Sequence, residues 1–169
     1  MKTLKPRTQD EGFTLVELLI VMSVMLILMV LIIPNAMKMI RSANQTSAIQ
    51  TIRAIGGAEV QYSSAYPASG FSCTLAALGG APGAAPPTAQ SAQVLDPTLA
   101  STGNKSGYTF SITNCTKVTV NNQDMFTGYQ VNAVPNKVGN TGDRGYCMDE
   151  NQIIRFDPAG GTNCTQPVQ

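Results

Sequence analysis

The feature that most constrains this chain is an apolar run of 21 residues, Phe13 to Ile33, in which only three side chains are polar. These three are Thr14, Glu17 and Ser23. A helix of that length spans about 31 Å, which matches the hydrocarbon core of a bilayer. The run therefore predicts a membrane-spanning helix.

The segment ahead of this run is short, polar and slightly basic. Its charged side chains are Lys2, Lys5, Arg7, Asp10 and Glu11. An ordinary secretory signal has a shorter apolar core and a small-residue cleavage site after that core. Here the small residue, Gly12, precedes the core, so the order of the two features is inverted.

A second helical pattern follows, from about Asn35 to Tyr66. Apolar side chains recur on one stripe of this helix, at Ala48, Ile52, Ile55, Tyr62 and Tyr66. This spacing is typical of an amphipathic helix that packs on another element. Glu59 falls inside the stripe, and we expect its carboxylate to lie at the rim.

Three features should modify this long helix. Pro34 lacks an N–H and crowds the preceding turn, so we expect a kink near Val30. The pair Gly56-Gly57 weakens the helix and would permit a bend. Pro67, followed by Gly70, should end it.

The remaining sequence predicts a small antiparallel sheet. Residues 79–93 (GGAPGAAPPTAQSAQ) have the composition of a surface loop. Short alternating segments then occur at 108–112, 118–120, 129–133, 144–148 and 153–156. Consecutive short strands favour antiparallel pairing, and the amphipathic half of the helix can cover one face of the sheet. The expected fold is α+β.

Composition argues against several functions. The chain contains no histidine, the commonest general base and metal ligand, so we expect neither an enzyme nor a bound cofactor. The net charge of +1 provides no basic footprint for nucleic acid. The four cysteines, an even number after an export signal, indicate two disulfides, with a four-cysteine zinc site as the alternative.

The segment Gly12-Phe13-Thr14-Leu15-Val16-Glu17, followed by the apolar run and Pro34, resembles the type IV prepilin and pseudopilin families. The resemblance implies that residues 1–12 are a leader, removed by a prepilin peptidase that cuts between Gly12 and Phe13. It also implies N-methylation of Phe13. Residues 13–66 would form the long helix, with 13–33 in the membrane, and residues 67–169 the globular head.

Glu17 is the residue with the strongest functional expectation. A carboxylate inside a membrane-spanning helix is costly and points to a function. The resemblance implies that Glu17 pairs with the new amine of Phe13 on a neighbouring subunit. The alternative is a carboxylate that snorkels to the nearby membrane interface.

The resemblance also bears on the cysteines and the acidic loops. It implies the pairs Cys147–Cys164 and Cys73–Cys115, one of three connectivities that four cysteines allow. Pseudopilin relatives bind calcium through acidic loops, and Asp143, Asp149, Glu150 and Asp157 could supply oxygens here. Their spacing fits no EF-hand loop, so solvated turn carboxylates are the preferred interpretation.

The expected function is that of a structural pilus subunit for adhesion, motility or DNA uptake, made in the bacterial inner membrane and assembled outside the cell. Its expected partners are further copies, minor pilins, the prepilin peptidase, a platform protein, an assembly ATPase and membrane lipid. The alternative is a pseudopilin of a type II secretion system in a periplasmic pseudopilus. The disulfides and the loop at 79–93 favour a pilin, whereas the short head and the Pro34-Asn35 junction favour a pseudopilin. An anchored binding protein that never polymerises is a further alternative.

Overall fold

The structure, a computed structural model, describes residues 12–81, 83 and 85–168, and for residues 31–34 only the backbone. The leader therefore lies outside the described residues except for Gly12. The chain divides into two compact units, 1–38 and 39–169. Helix α1, Leu15–Ala65, begins in the first unit and ends in the second. The amphipathic half of the helix thus belongs to the same unit as the sheet.

The second unit contains two further helices and six strands. The short helices are α2 (Leu75–Leu78) and α3 (Pro97–Thr102). The strands are β1 (Asn104–Lys105), β2 (Tyr108–Val120), β3 (Gln123–Pro135), β4 (Gly145–Asp149), β5 (Ile154–Asp157) and β6 (Gln166–Pro167). All neighbouring strands are antiparallel, in the spatial order of the sequence. This arrangement confirms the α+β fold with a C-terminal antiparallel sheet.

One face of the sheet packs against α1. The helix contributes the predicted stripe, in which Ile52 and Ile55 are fully buried. The sheet contributes alternate residues of three strands, because successive side chains in a strand point to opposite faces. These are Tyr108, Phe110, Tyr129, Val131, Ala133, Tyr146 and Met148. The edge strands β1 and β6 are two residues long, which limits pairing with other chains.

The predicted boundary between two strands at 108–112 and 118–120 is wrong. Both segments belong to β2, whose pairing with β3 shifts between Thr113 and Lys117. Asn114 adopts a φ of 52° at this irregularity. A bulge of this kind adds a residue to one strand and changes which side chains face the core. It therefore broke the alternation that predicts a single strand.

The prediction that the Glu59 carboxylate lies at the rim of the helix stripe is also wrong. Its side chain is fully buried rather than at the rim of the helix stripe. Its two oxygens accept hydrogen bonds from the backbone N–H and the hydroxyl of Ser72. The carboxylate therefore fastens the segment after α1 to the helix.

The glycine pair does not interrupt α1, which is helical through Gly56 and Gly57. Gly56 faces the sheet, and a Cβ there would overlap the end of the Met148 side chain. Gly57 is exposed, and a Cβ there would meet no described atom within 4 Å. Gly56 thus permits close packing of the helix on the sheet, whereas Gly57 has no such contact.

Helices α2 and α3 were not predicted, although their ends carry recognisable caps. The side chains of Thr74 and Asp96 accept hydrogen bonds from the first turns of the two helices. Gly103 ends α3 in the left-handed conformation, at a φ of 64°. The described residues of 79–93 contain no helix and no strand of the sheet, which confirms the predicted loop.

Candidate functional site

The candidate site is the start of α1, where the chain changes from a polar to an apolar sequence. Thr14 precedes the helix, and its hydroxyl oxygen accepts a hydrogen bond from the Glu17 N–H at 3.2 Å. The Thr14 carbonyl accepts the first helical bond, from the Leu18 N–H at 3.2 Å. Thr14 is therefore the N-cap of α1, and Glu17 is the third residue of the helix.

The N-cap was missed in the sequence analysis, although Thr14-Leu15-Val16-Glu17 matches the capping-box pattern. A carboxylate at Glu17 also lies in the first turn, where the helix dipole favours negative charge. Glu17 can thus stabilise the start of the helix within its own chain. This local role is compatible with a second partner on another chain, because a carboxylate has several acceptor positions.

The helix after Glu17 exposes apolar side chains in all directions. From Phe13 to Val30 every residue is exposed, and the large apolar side chains are between 50% and 83% exposed. Burying what remains exposed of these 15 side chains is worth about 15–30 kcal/mol, since each is only partly exposed in the helix. This surface therefore requires a lipid or protein environment.

By length and hydropathy, two segments of α1 taken together could span a membrane, whereas neither does so as a single uninterrupted segment. Among the described residues, no one uninterrupted helix passes as a membrane span, whereas Leu15–Val30 and Asn35–Ala65 pass as a bent pair. The backbone between these segments is helical, but the side chain of Pro34 lies outside the described residues. The predicted kink at Pro34 stays a prediction.

Residues 7–33 match the family model described as the prokaryotic N-terminal methylation motif. This match supports the prepilin family of type IV pilins and pseudopilins. A prepilin motif implies processing by a prepilin peptidase, assembly into pilus-type fibres and a membrane-anchored precursor. It is a motif of structural subunits rather than of enzymes. No curated protein and no solved structure matches the chain.

The second unit of the chain contains two disulfides. Cys73 is bonded to Cys115, with 6.0 Å between the Cα atoms, and Cys147 to Cys164, with 5.9 Å. The first bond joins the segment after α1 to the bulge of β2, and the second closes the C-terminal loop. This is the pairing that the family resemblance implies, and the four cysteines are not available for zinc.

The candidate calcium ligands do not come together. Asp143 accepts a hydrogen bond from Arg41 at 2.9 Å. Asp149 accepts hydrogen bonds from backbone N–H groups of its own turn and lies 3.8 Å from Arg155. Within the described residues, no three His, Cys, Asp or Glu side chains are placed to hold a metal ion. The set of Asp143, Asp149 and Glu150 is therefore not assembled as a site.

Asp157, the fourth acidic residue considered for calcium, is buried in the C-terminal disulfide loop. Its two carboxylate oxygens accept hydrogen bonds from the N–H groups of Ala159, at 2.9 Å, and Asn163, at 3.1 Å. These bonds organise the loop that Cys147 and Cys164 close. The carboxylate of Asp157 thus has a structural role within this loop.

Proposed function

We propose that this chain is a structural subunit of a type IV pilus, which polymerises through α1 into an extracellular filament for adhesion, motility or DNA uptake. The observation that carries the proposal is the start of α1. Glu17 is the one charged residue in an apolar segment that continues to Ile33, and it is the fifth residue after the predicted cleavage point. Such a segment can pass from lipid into the core of a fibre without changing the polarity of its surroundings.

Cleavage after Gly12 creates a cationic amine on Phe13, which the peptidase then methylates. In an apolar environment this amine and the Glu17 carboxylate each need a partner, because an isolated charge is costly there. Glu17 of one subunit and the amine of the next can satisfy one another. A single charged pair in an apolar interface also fixes the axial register, because a displaced subunit leaves both charges unpaired.

The proposed route begins in the bacterial inner membrane. The leader keeps the N-terminus in the cytoplasm while the head folds and forms its disulfides on the oxidising side. A platform protein and an assembly ATPase then move processed subunits into the fibre, which minor pilins help to initiate. Lipid surrounds α1 before assembly, and other copies of α1 surround it afterwards.

A pseudopilin of a type II secretion system is the second candidate, because it requires the same Gly12, Phe13 and Glu17. The short head and the Pro34-Asn35 junction favour it. The two disulfides in the head and the long loop at 79–93 favour the pilus subunit. The two candidates differ in the location of the fibre: a pilus extends outside the cell, whereas a pseudopilus stays in the periplasm.

The test is to express the full chain with its native assembly machinery, shear the cells, and examine the sheared fraction by electron microscopy and intact-mass analysis. We expect long fibres of a species that begins at methylated Phe13. Glu17→Ala should abolish fibres but leave cleavage intact. Ser23→Ala is the matched control: it removes a hydroxyl that, within the described residues, bonds the Leu19 carbonyl of its own helix at 2.8 Å.

Other outcomes separate the candidates. A processed species that remains with the membrane, without surface fibres, would favour the pseudopilin. An uncleaved chain would contradict both candidates. Normal fibres from Glu17→Ala would remove the proposed role of Glu17 in assembly.

A further inference from the structure

A groove of about 740 Å³ lies in the head between α1 and the strands β4 and β5. Apolar side chains on its walls include Ile49, Tyr146 and Phe156. Arg144 also lines the groove, and its guanidinium carbon lies 4.6 Å from the centre of the Phe156 ring. This stacking orders the cation without neutralising it. The groove therefore combines an apolar wall with a positioned positive charge.

Arg144 is exposed and lacks an acidic partner within the described part of the chain. The three ion pairs found there are Arg41–Asp143, Lys117–Asp124 and Arg155–Asp149. Glu150 is likewise exposed and absent from these pairs. Each residue thus presents a charge that its own head does not neutralise.

Glu150 sits on a turn that is held rigid by its neighbour. The Asp149 carboxylate accepts hydrogen bonds from the N–H groups of Asn151, at 3.1 Å, and Ile153, at 3.2 Å. The Asp149 carbonyl accepts a third, from the Gln152 N–H at 2.9 Å. A preorganised turn loses little conformational entropy when it binds.

The same turn exposes an apolar side chain next to the acid. Ile153 is 48% exposed, so its side chain is available for contact with a second chain. The turn 149–153 thus offers a carboxylate and an apolar group. The groove offers the complementary pair, a guanidinium and an apolar wall.

The groove and the turn lie at opposite ends of one strand. Arg144 immediately precedes β4 and Glu150 immediately follows it. Six residue steps in a strand separate them by about 20 Å, so they cannot meet within one chain. They can meet between two copies that are arranged head to tail, and such a contact is heterologous and repeats without closing.

We infer that the turn 149–153 of one head docks into the groove of a second copy of this chain, with Glu150 against Arg144 and Ile153 against the apolar wall. This contact is a second subunit interface, formed by the heads. It rests on the proposed function, because a repeating heterologous contact builds a fibre. The head contact would act beside the α1 interface. Because it depends on charge, it would fix the orientation of neighbouring heads.

Charge reversal tests the contact in the full chain, expressed with its assembly machinery. Arg144→Glu and Glu150→Arg each place like charges together, and we expect each to lower the yield of sheared fibres at least tenfold. The double variant Arg144→Glu/Glu150→Arg restores the opposite charges and should recover most of the yield. Lys105→Glu, an equal change of charge at exposed β1, is the control and should assemble normally. Intact mass verifies that every variant is processed and holds both disulfides.

A photo-crosslinking residue at position 153 tests the same contact by proximity. We expect a product of two chains in which the crosslink joins residue 153 to a peptide containing Ile49 or Phe156. Crosslinks to other proteins only, or to other parts of a second copy, would overturn the inference. So would a double variant that assembles no better than the single variants.

The two proposals fail in different ways. Fibres of the chain that carries the photo-crosslinking residue, without the 153-to-groove crosslink, would overturn the head contact and leave the pilus function intact. The crosslink in membranes that produce no surface fibre would support the contact and overturn the pilus function. Absence of both fibres and crosslink would overturn both proposals.

Discussion

Glu59 and Ser72 form a buried pair that joins α1 to the segment leading into the sheet. Glu59 Oε2 accepts a hydrogen bond from the Ser72 N–H at 2.8 Å, and Oε1 accepts one from the Ser72 hydroxyl at 2.6 Å. Burial raises the pKa of Glu59 above its ordinary value of 4.5, against the opposing effect of these hydrogen bonds. Ser72 immediately precedes Cys73, so the pair and the first disulfide fix the same stretch of chain.

Replacing Glu59 should reveal how much this pair stabilises the head. Glu59→Ala leaves the Ser72 N–H buried without an acceptor and should lower the free energy of unfolding by about 2–4 kcal/mol. Glu59→Gln keeps an acceptor and a donor and should cost clearly less. The measurement is urea unfolding of the full chain in detergent, monitored by near-ultraviolet circular dichroism of the tyrosines, all five of which lie in the second unit, 39–169. Equal losses for the two variants would contradict the hydrogen-bond argument.

The same carboxyl should make stability depend on pH. Because the folded protein raises the pKa of Glu59, the folded state holds the proton more tightly than the unfolded state. This contribution is fully present below the unfolded pKa and is lost as the pH rises through the folded pKa. We therefore expect the stability of the wild type to fall relative to Glu59→Gln as the pH increases upward from about 4.5. A constant difference across that range would show that Glu59 has the same pKa in both states.

Gly56 and Gly57 form a natural matched pair of adjacent helical positions. Alanine at exposed Gly57 should stabilise α1 by about 0.5–1 kcal/mol, because alanine has the higher helix propensity. Alanine at Gly56 gains the same propensity but must displace Met148, which is almost fully buried. We expect Gly56→Ala to be about 1–2 kcal/mol less stable than Gly57→Ala in the same unfolding assay. Equal stabilities would mean that Met148 repacks without cost.

The two disulfides should contribute comparable stability through different loops. Cys73–Cys115 spans 42 residues and Cys147–Cys164 spans 17, which correspond to about 4 and 3 kcal/mol of loop-closure entropy. We expect Cys73→Ser/Cys115→Ser to lower the free energy of unfolding more than Cys147→Ser/Cys164→Ser does. Fibre yield provides a second readout. A Cys147→Ser/Cys164→Ser variant with unchanged stability would show that Asp157 alone maintains the C-terminal loop.

A substitution at Gly12 tests cleavage of the leader separately from assembly of the fibre. Among the described residues, a Cβ at Gly12 would meet nothing within 4 Å, so a larger side chain clashes with none of them. We therefore expect Gly12→Val to fail at the peptidase and to retain Met1–Gly12, as intact mass would reveal. Glu17→Ala, by contrast, should be cleaved and then fail to assemble. A fully cleaved Gly12→Val would show that the peptidase tolerates a branched side chain before the cut.

The sequence alone determined the features that depend on neighbours along the chain. The apolar run, the stripe from Ala48 to Tyr66 and the alternating segments specify a long helix and a sheet, because helices and strands have fixed periods. The motif at Gly12 to Glu17 identified the candidate site for the same reason, since its residues occur in one short segment.

Only the tertiary structure decided what depends on distant residues. Ser72, thirteen positions after Glu59, turns a carboxylate predicted at the rim into a buried partner. Met148 gives Gly56 a role that its neighbour Gly57 lacks. The bulge in β2 appears only once β3 fixes the register. Local patterns report which face of an element is apolar, whereas packing decides which polar groups that face can bury, because burial of a polar group requires a partner that the fold must bring to it.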